Sequence, residues 1–354
     1  MKHELSLRNL SALFLGAILT HSIGYGASEL DFLKLQLHKQ DVGSLAQSYA
    51  GSDRFYTYDQ ALAVLTFTQS GDQDSAHQIL SAMKSLQAKD GSWIFSYPAH
   101  ENILPRSGSI AWMVIAINHY SAKYKSHEFD STRDLAIHYF EQNSFQENDF
   151  FGPKFSNVNE PNSTWDKTQV LSVEHLIDWI AAFDTLPGDV KQAHADQAER
   201  MRKTLLNHWV GEHFAPGSIV STKKMNFEET YLDTQAWAAL LKWKKTDQNW
   251  IHKGLAFNCR TFLKRNGFQE SLAQQSNPEF AWMEGTFMMD LALKTQRVSC
   301  PSRAPAAILS EPNGGVPYSI QGQSFQFSEK SSVAATAWKY FSSTAFNPFQ
   351  LDPT

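Results

Sequence analysis

The chain has 354 residues, 42% of them hydrophobic, with a formal net charge of −5 and a pI near 6.2. The apolar content excludes a disordered chain and supports a large buried core. The slight acidity and the absence of Lys/Arg runs exclude the basic face that nucleic-acid binding needs. Length alone leaves one large domain or two ordinary ones open.

The first 27 residues have the layout of a secretory signal peptide. Basic residues precede an apolar stretch, Leu10 to Leu19, and small residues follow at Gly26 and Ala27. The stretch is shorter than the roughly 20 apolar residues of a membrane span. We therefore expect cleavage after residue 27 and a periplasmic or secreted mature chain, 28–354, without a stable membrane span. A buried N-terminal helix is the alternative.

Two kinds of helix alternate along the rest of the chain. Segments beginning near residues 59, 110, 176, 234, 285 and 332 are apolar on nearly every side, as helices buried all round are. Segments with a single apolar stripe lie between them, at 73–86, 190–209 and 250–262, with a weaker one at 130–141. A striped helix packs on the outside of a core. We expect a further short outer helix near 303–309, and we expect segment 29–49 to close the structure.

The inner segments start roughly 45 to 65 residues apart, a spacing that indicates a repeat. We therefore predict an all-α fold, an (α/α)6 toroid of six helical hairpins in which parallel inner helices are enclosed by outer ones. A loose superhelix of hairpins is the alternative. No Gly/Ser linker divides residues 28–354, so we predict a single domain.

Four of the six inner segments carry an acid in their first turn. The motifs are Thr57-Tyr-Asp-Gln60, Ser172-Val-Glu-His175, Tyr231-Leu-Asp-Thr-Gln235 and Trp282-Met-Glu-Gly285. If the inner helices are parallel, the acids of these motifs meet on one concave face. They are Asp59, Glu174, Asp233 and Glu284. For each acid alone, compensation of the helix dipole is the structural alternative.

Aromatic residues accompany these acids, as expected of a carbohydrate site that combines apolar walls with a few polar anchors. The candidates for substrate contact are Tyr58, Trp165, Tyr231, Trp237 and Trp282, with core packing as the alternative. Glycoside hydrolysis needs one protonated carboxyl and one ionised carboxylate. Glu284 is the predicted proton donor, since apolar surroundings raise a carboxyl pKa. Asp233 or Asp59 is the predicted ionised partner.

Two basic residues are further candidates. Arg106 precedes the second inner segment and is suited to bind a substrate carboxylate, such as that of a uronate; a surface arginine is the alternative. His175 and Asp178 are spaced to share a metal, but we favour a role for His175 in orienting Glu174. No His-Glu-x-x-His, phosphate loop or Gly-x-Ser-x-Gly occurs, so we expect no cofactor and no metal.

Cys259 and Cys300 are the only cysteines, and their spacing suits no zinc site. In an oxidising compartment they form one disulfide; two buried thiols are the alternative.

The helix alternation and three motifs resemble the six-hairpin glycosidase superfamily of (α/α)6 proteins. The motifs are the Tyr-Asp-Gln-Ala, Val-Glu-His and Trp-x-Glu-Gly-Thr helix starts, and the similarity runs from about Phe55 to Phe349. The resemblance implies the toroid and, more loosely, a glycoside hydrolase, uronate-acting hydrolase or sugar phosphorylase. Related toroids include polysaccharide lyases and sugar epimerases. The segment Gln87 to Trp93 is similar to the Gln-Trp repeat of triterpene cyclases, but it occurs once and no Asp-x-Asp-Asp accompanies it.

We therefore expect a carbohydrate-active enzyme, a glycoside hydrolase acting on an extracytoplasmic poly- or oligosaccharide. The alternatives are a non-catalytic carbohydrate-binding or envelope-assembly protein and a polysaccharide lyase. A lyase would use Arg106 as neutraliser with Tyr58 or His175 as base.

Overall fold

The computed structural model describes residues 28–98, 104–147, 150–159, 166–226, 229–244, 248–271, 279–300, 310–320 and 329–351. The predicted signal peptide, Trp165 and the outer helix expected near 303–309 lie outside these ranges. Within the described residues, none of the helices has the length and apolar character needed to cross a bilayer.

The described part of the chain is mainly helical. Its helices are α1 Glu29–Leu35, α2 Thr57–Ser70, α3 Gln73–Leu86, α4 Ser107–Tyr124, α5 Asp130–Gln142, α6 Val173–Asp184, α7 Gly188–Ala193, α8 Ala195–Asn207, α9 Leu232–Leu240, α10 Gln248–Thr261, α11 Met283–Gln296 and α12 Val333–Thr344. The short strands are β1 Leu37–Gln40, β2 Gly43–Ala46, β3 Phe55–Tyr56, β4 Ser96–Tyr97, β5 Ser144–Gln146, β6 Phe151–Pro153, β7 Val170–Ser172, β8 Gly217–Ile219, β9 Lys224–Met225, β10 Ala281–Trp282, β11 Val316–Pro317, β12 Ser319–Ile320 and β13 Ser331–Ser332.

Six inner helices form a closed ring. In chain order α2, α4, α6, α9, α11 and α12 each pack against the next, and α12 packs against α2. Their side chains are buried around most of the helix circumference, as their apolar sequences require. This closure confirms the (α/α)6 toroid, because an open superhelix would leave the first and last helices apart.

The striped helices form the outer layer. Helix α3 packs on α2, α5 on α4, α8 on α6, and α10 on α9. The stripe expected at 190–209 is broken at His194, where α7 ends and α8 begins. The turn at 87–93 ends α3: Gly91 has a φ of +92° that favours glycine, and the buried Trp93 indole donates to the Met83 carbonyl.

Segment 29–49, which was expected to close the structure, contains one short helix and a β-hairpin. Only residues 29–35 form a helix, and α1 packs against α12 and α2. Strands β1 and β2 then pair antiparallel as a hairpin. Gly43 begins β2 with a φ of +126°, and a Cβ at that position would lie 3.1 Å from the Ala82 Cβ. The hairpin therefore needs glycine where it approaches α3.

Short antiparallel pairs surround the starts of the inner helices. Strand β3 precedes α2 and pairs with β4, β7 precedes α6 and pairs with β8, β10 precedes α11 and pairs with β12, and β13 precedes α12 and pairs with β11. These pairs thus lie beside the first turns of four inner helices, α2, α6, α11 and α12. Near the outside, Cys259 of α10 is bonded to Cys300.

Candidate active site

A cavity of about 290 Å³ opens where the inner helices begin. The first turns of α2, α4, α6, α9 and α11 all line it, which requires these helices to point the same way. Its carboxyl groups belong to Glu174, Asp178, Asp233, Glu270 and Glu284. Its aromatic and basic residues include Tyr58, Phe95, Arg106, Trp112, Phe155, His175, Tyr231, Trp237 and Trp282. We call this the central cavity.

Most of the residues singled out in the sequence line the central cavity. Three of the four helix-start acids are there, as are Arg106 and His175 and every described aromatic candidate. Asp59 is the exception, because its carboxyl lines an adjoining cavity of about 260 Å³ with Tyr49 and Tyr56. Tyr58 and Glu284 line both cavities.

Three tryptophans close the bottom of the central cavity. Trp112 of α4, Trp237 of α9 and Trp338 of α12 meet at the ring axis, with centroids 5.5 to 6.2 Å apart. Phe349 packs beneath them, 5.2 Å from the Trp112 ring. This apolar floor excludes water from below, so carboxyl groups above it lie in a region of low polarity.

Glu284 is held by a chain of hydrogen bonds that joins three consecutive helices of the ring, α11, α12 and α2. The Trp338 indole N–H donates to the Tyr58 hydroxyl at 2.8 Å, and that hydroxyl donates to Oε1 of Glu284 at 2.8 Å. Burial raises the pKa of Glu284 well above its usual range. The Tyr58 hydrogen bond opposes this rise, and the neighbouring negative charges add to it.

Asp59 lines the adjoining cavity together with Tyr49, Tyr56 and Tyr58. It is 4% exposed, and burial raises its pKa to about 7 against the ordinary 3.8, while a hydrogen bond with Ser48 opposes the rise. Tyr49 meets Tyr56 and Tyr318 edge to face, each with ring centroids 6.1 Å apart. Asp59 is therefore part of an aromatic compartment beside the central cavity.

Glu174 lines the central cavity together with Arg106, whose positive charge acts on it. Burial raises the pKa of Glu174 to about 7; the charge of Arg106 opposes that rise and the charge of Glu270 adds to it. The Arg106 guanidinium stacks on the Phe95 ring, 3.7 Å from its centroid. Arginine thus keeps Glu174 easier to ionise than its buried neighbours.

His175 and Asp178 form a close pair at the wall of the cavity. Burial lowers the pKa of His175 to about 3, so the ring is neutral at physiological pH. It stacks on Phe155, and its Nδ1 has no hydrogen-bond partner among the described residues. A Cβ on Gly108, in the first turn of α4, would lie 2.5 Å from the His175 ring and 2.6 Å from Oδ2 of Asp178. Glycine at 108 is what allows α4 and α6 to bring these groups together.

Asp178 and Asp233 carry raised pKa values because both are buried among other acids. For Asp178 the further cause is the charge of Glu174 and then of Asp233. For Asp233 it is Glu174 and then Glu270. Asp178 follows Glu174 by one helical turn, a spacing that places both on one face of α6.

Glu270 is a site residue that the sequence patterns did not reveal. It lies outside the helices, and its carbonyl accepts the backbone N–H of Leu232 where α9 begins. No helix-start motif surrounds it, so its place in the cavity follows from the fold alone.

Comparison with solved structures identifies the same architecture. A sugar epimerase from a ruminal bacterium superposes with a TM-score of 0.70 at 9% identity, covering 90% of this chain and 96% of the other. A wild-type glycosidase gives 0.65 at 9% identity, over 90% and 95%. An α-amylase from Clostridium perfringens gives 0.62 at 11% identity, over 90% and 97%. The chain therefore has the fold typical of six-hairpin glycosidase-like proteins. No protein-family model and no curated protein matches it. At these identities the likeness establishes the fold and leaves the reaction to the site.

Proposed function

We propose that the protein is a carbohydrate-active enzyme that hydrolyses glycosidic bonds in the central cavity. The observation that carries this proposal is the contrast between two carboxyl environments in one cavity. Glu284 is buried and hydrogen-bonded by Tyr58, whereas Glu174 lies near a guanidinium. A pair of carboxyl groups with opposite protonation is the requirement for glycoside hydrolysis.

The chemistry assigns a role to each carboxyl. Glu284, protonated at neutral pH, gives its proton to the glycosidic oxygen as the bond from that oxygen to the anomeric carbon breaks. A water molecule adds to the anomeric carbon and loses a proton to the ionised carboxylate. Glu174 fits that second role best, because Arg106 counters the rise of its pKa. The sequence had favoured Asp233 or Asp59 for this role. Burial raises the pKa of Asp233 well above its usual range, and Asp59 lies in the adjoining cavity.

The aromatic residues would hold the sugar. Tyr231, Trp237 and Trp282 line the central cavity, so C–H faces of a sugar can pack on them while the carboxyl groups reach its oxygens. The buried Trp282 and Trp237 indole N–H groups have no hydrogen-bond partner in the described residues, which leaves both donors for a sugar hydroxyl.

A polysaccharide lyase is a second candidate, favoured by His175. Its neutral ring, its Nδ1 without a partner in the described part of the chain, and the nearby guanidinium of Arg106 suit removal of a proton beside a substrate carboxylate. A hydrolase and a lyase leave different products, since a lyase forms a carbon–carbon double bond.

We further propose that the protein works outside the cytoplasm. The signal-like N-terminal sequence supports this, and the Cys259–Cys300 disulfide suits an oxidising compartment.

A polysaccharide panel tests these proposals. The mature protein is incubated with neutral and uronate-containing polysaccharides, and reducing ends are scored alongside absorbance from unsaturated products. Reducing ends alone support hydrolysis, and both signals support a lyase. If no substrate gives either signal, the hydrolase and the lyase are both contradicted, and a carbohydrate-binding protein is favoured.

Variants then test the roles. Glu284→Gln and Glu174→Gln should each lower turnover by about 10²- to 10⁴-fold, the usual contribution of a general acid or base. Glu199→Gln, on the exposed side of α8, is the matched control. Full activity of both cavity variants would end the hydrolase proposal.

A further inference from the structure

Three cavities lie side by side across the mouth of the ring. The central cavity adjoins the cavity of about 260 Å³ around Tyr49 and Asp59, which we call the tyrosine compartment. On its other side it adjoins a cavity of about 300 Å³ lined by Lys167 and Asn226, which we call the lysine compartment. Each cavity alone is near the lower end of the range for small-ligand sites, about 300 to 1,000 Å³.

Shared lining residues show that the three cavities adjoin one another. Tyr58, Phe95 and Glu284 line both the central cavity and the tyrosine compartment. Phe155, Glu174, Tyr231 and Asp233 line both the central cavity and the lysine compartment. Glu284, the proposed acid, and Glu174, the proposed base, therefore lie at the two shared walls, inside the row of cavities.

The order of the helices shows that the row follows a diameter of the ring. The tyrosine compartment is built on α2 and α12, through Asp59 and Ala334. The lysine compartment is built on α6 and α9, through Glu174 and Thr234. In a ring of six helices, the junction of α12 with α2 lies opposite the junction of α6 with α9. The cleft thus crosses the whole face.

The two outer compartments have walls suited to sugars. In the first, Tyr49, Tyr56 and Phe95 present aromatic surfaces, with Tyr56 and Phe95 centroids 5.0 Å apart. In the second, Lys167 and Asn226 line the cavity together with residues of β7 and β8, and the Lys167 Nζ lies 5.0 Å from the Phe155 centroid. Apolar surfaces with a few polar groups are typical of such sites.

We propose that this cleft binds a carbohydrate chain of at least three consecutive sugar units, with one unit in each compartment. Because the candidate acid and base lie at the inner walls, the bond cleaved is an internal one and the chain continues on both sides of it. The cleavage position rests on the proposed hydrolase function; the length of the bound chain does not.

The inference is tested by binding of oligosaccharide ladders to the mature protein, residues 28–354, carrying Glu284→Gln. This variant is expected to turn substrate over slowly enough for binding to be measured. The probes are cello-, malto-, laminari-, xylo- and galacturonate ladders from the monosaccharide to the hexasaccharide, titrated by calorimetry. On the ladder that binds, affinity should rise at least about tenfold, or about 1.4 kcal/mol, from monosaccharide to trisaccharide. Digestion of the matching polymer by the unmodified protein should release a range of oligosaccharides early.

Variants in the outer compartments locate the added affinity. Tyr49→Ala and Lys167→Ala should each weaken trisaccharide binding about fivefold and leave monosaccharide binding unchanged. Tyr49→Phe, which keeps the ring, guards against a folding defect and should bind nearly normally. Tyr124→Ala and Lys123→Ala, at the far end of α4, are the matched controls.

The possible failures are distinguishable. Equal affinity for monosaccharide and hexasaccharide on a ladder that binds, or release of single units from one chain end, overturns the inference and leaves hydrolysis standing. Length-dependent binding with no turnover of any polymer supports the cleft and contradicts the hydrolase. Absence of binding on every ladder contradicts both.

Discussion

The hydroxyl of Tyr58 on α2 donates a 2.8 Å hydrogen bond to Oε1 of Glu284 on α11, although 226 residues separate them in the sequence. The same hydroxyl accepts a hydrogen bond from the indole of Trp338. Three inner helices thus fix one carboxyl group, and the protonation of that group is the centre of the proposed chemistry.

Tyr58→Phe tests this connection. Loss of the hydroxyl removes a hydrogen bond that favours ionised Glu284, so the pKa of Glu284 should rise further. If Glu284 is the acid, the basic limb of the rate profile moves to higher pH, and turnover falls about tenfold to hundredfold, as hydrogen bonds to charged groups contribute about 1.5–3 kcal/mol.

The control for that prediction is Tyr124→Phe, at the last residue of α4 and therefore at the end of the ring away from the central cavity. The Trp338 indole loses its acceptor in Tyr58→Phe, so thermal unfolding is measured in parallel. A fall in turnover with an unmoved basic limb would contradict the assignment of Glu284 as the acid.

Asp59→Asn should stabilise the protein at alkaline pH. The pKa of Asp59 is about 7 in the folded protein against 3.8 for the ordinary group. Between these values the unfolded chain releases the proton and the folded protein keeps it, so the wild type loses stability as pH rises through that window. The asparagine cannot ionise and avoids this loss.

The free energy of unfolding, measured by urea denaturation, gives the test. Asp59→Asn should match the wild type near pH 4 and exceed it above pH 7, by at most roughly 4 kcal/mol at about 1.4 kcal/mol per pKa unit. Asp53→Asn, at an exposed aspartate, is the matched control. Equal stability of Asp59→Asn and wild type both near pH 4 and above pH 7 would refute the raised pKa of Asp59.

Much of this site was foreseeable from local sequence because the inner helices are parallel. An acid in the first turn of an apolar inner helix reaches the mouth of the ring, and Glu174, Asp233 and Glu284 all do so. Asp59 also lies in the first turn of an inner helix, but it lines the tyrosine compartment and not the central cavity, since the direction of a side chain depends on its neighbours. Glu270 comes from a non-helical segment, whose path no periodicity encodes.

Gly108→Ala should damage the site through His175 and Asp178. The new Cβ would lie within 2.6 Å of both side chains, so one of them must move. We expect turnover to fall at least about tenfold and stability to fall by about 1–3 kcal/mol, as overpacking usually costs. Gly188→Ala, where nothing lies within 4 Å of the added Cβ, is the matched control and should be neutral or slightly stabilising. Normal kinetics in Gly108→Ala would show that the close approach is unimportant.

Arg106→Gln should shift the acidic limb of the rate profile upward. The guanidinium lowers the pKa of Glu174, so without it Glu174 ionises only at higher pH. If Glu174 is the base, full activity then requires more alkaline conditions. Arg106→Lys keeps the charge but loses the planar stack on Phe95, and it should shift the limb less. Arg265→Gln, at a largely exposed arginine, serves as control. An unmoved acidic limb in Arg106→Gln would remove Glu174 from the role of base.

The disulfide between Cys259 and Cys300 should contribute substantially to stability. It closes a loop across 41 residues and joins α10 to the segment after α11, with Cα atoms 5.5 Å apart. Restricting the unfolded chain over a loop of this length is worth about 4 kcal/mol. Paired replacement by serine should lower the free energy of unfolding by about that amount, and a reductant should destabilise the wild type while leaving the serine variant unchanged. Equal unfolding curves for the oxidised wild type and the serine variant would contradict a stabilising bond, and a reduced pair in protein recovered from the native compartment would contradict export.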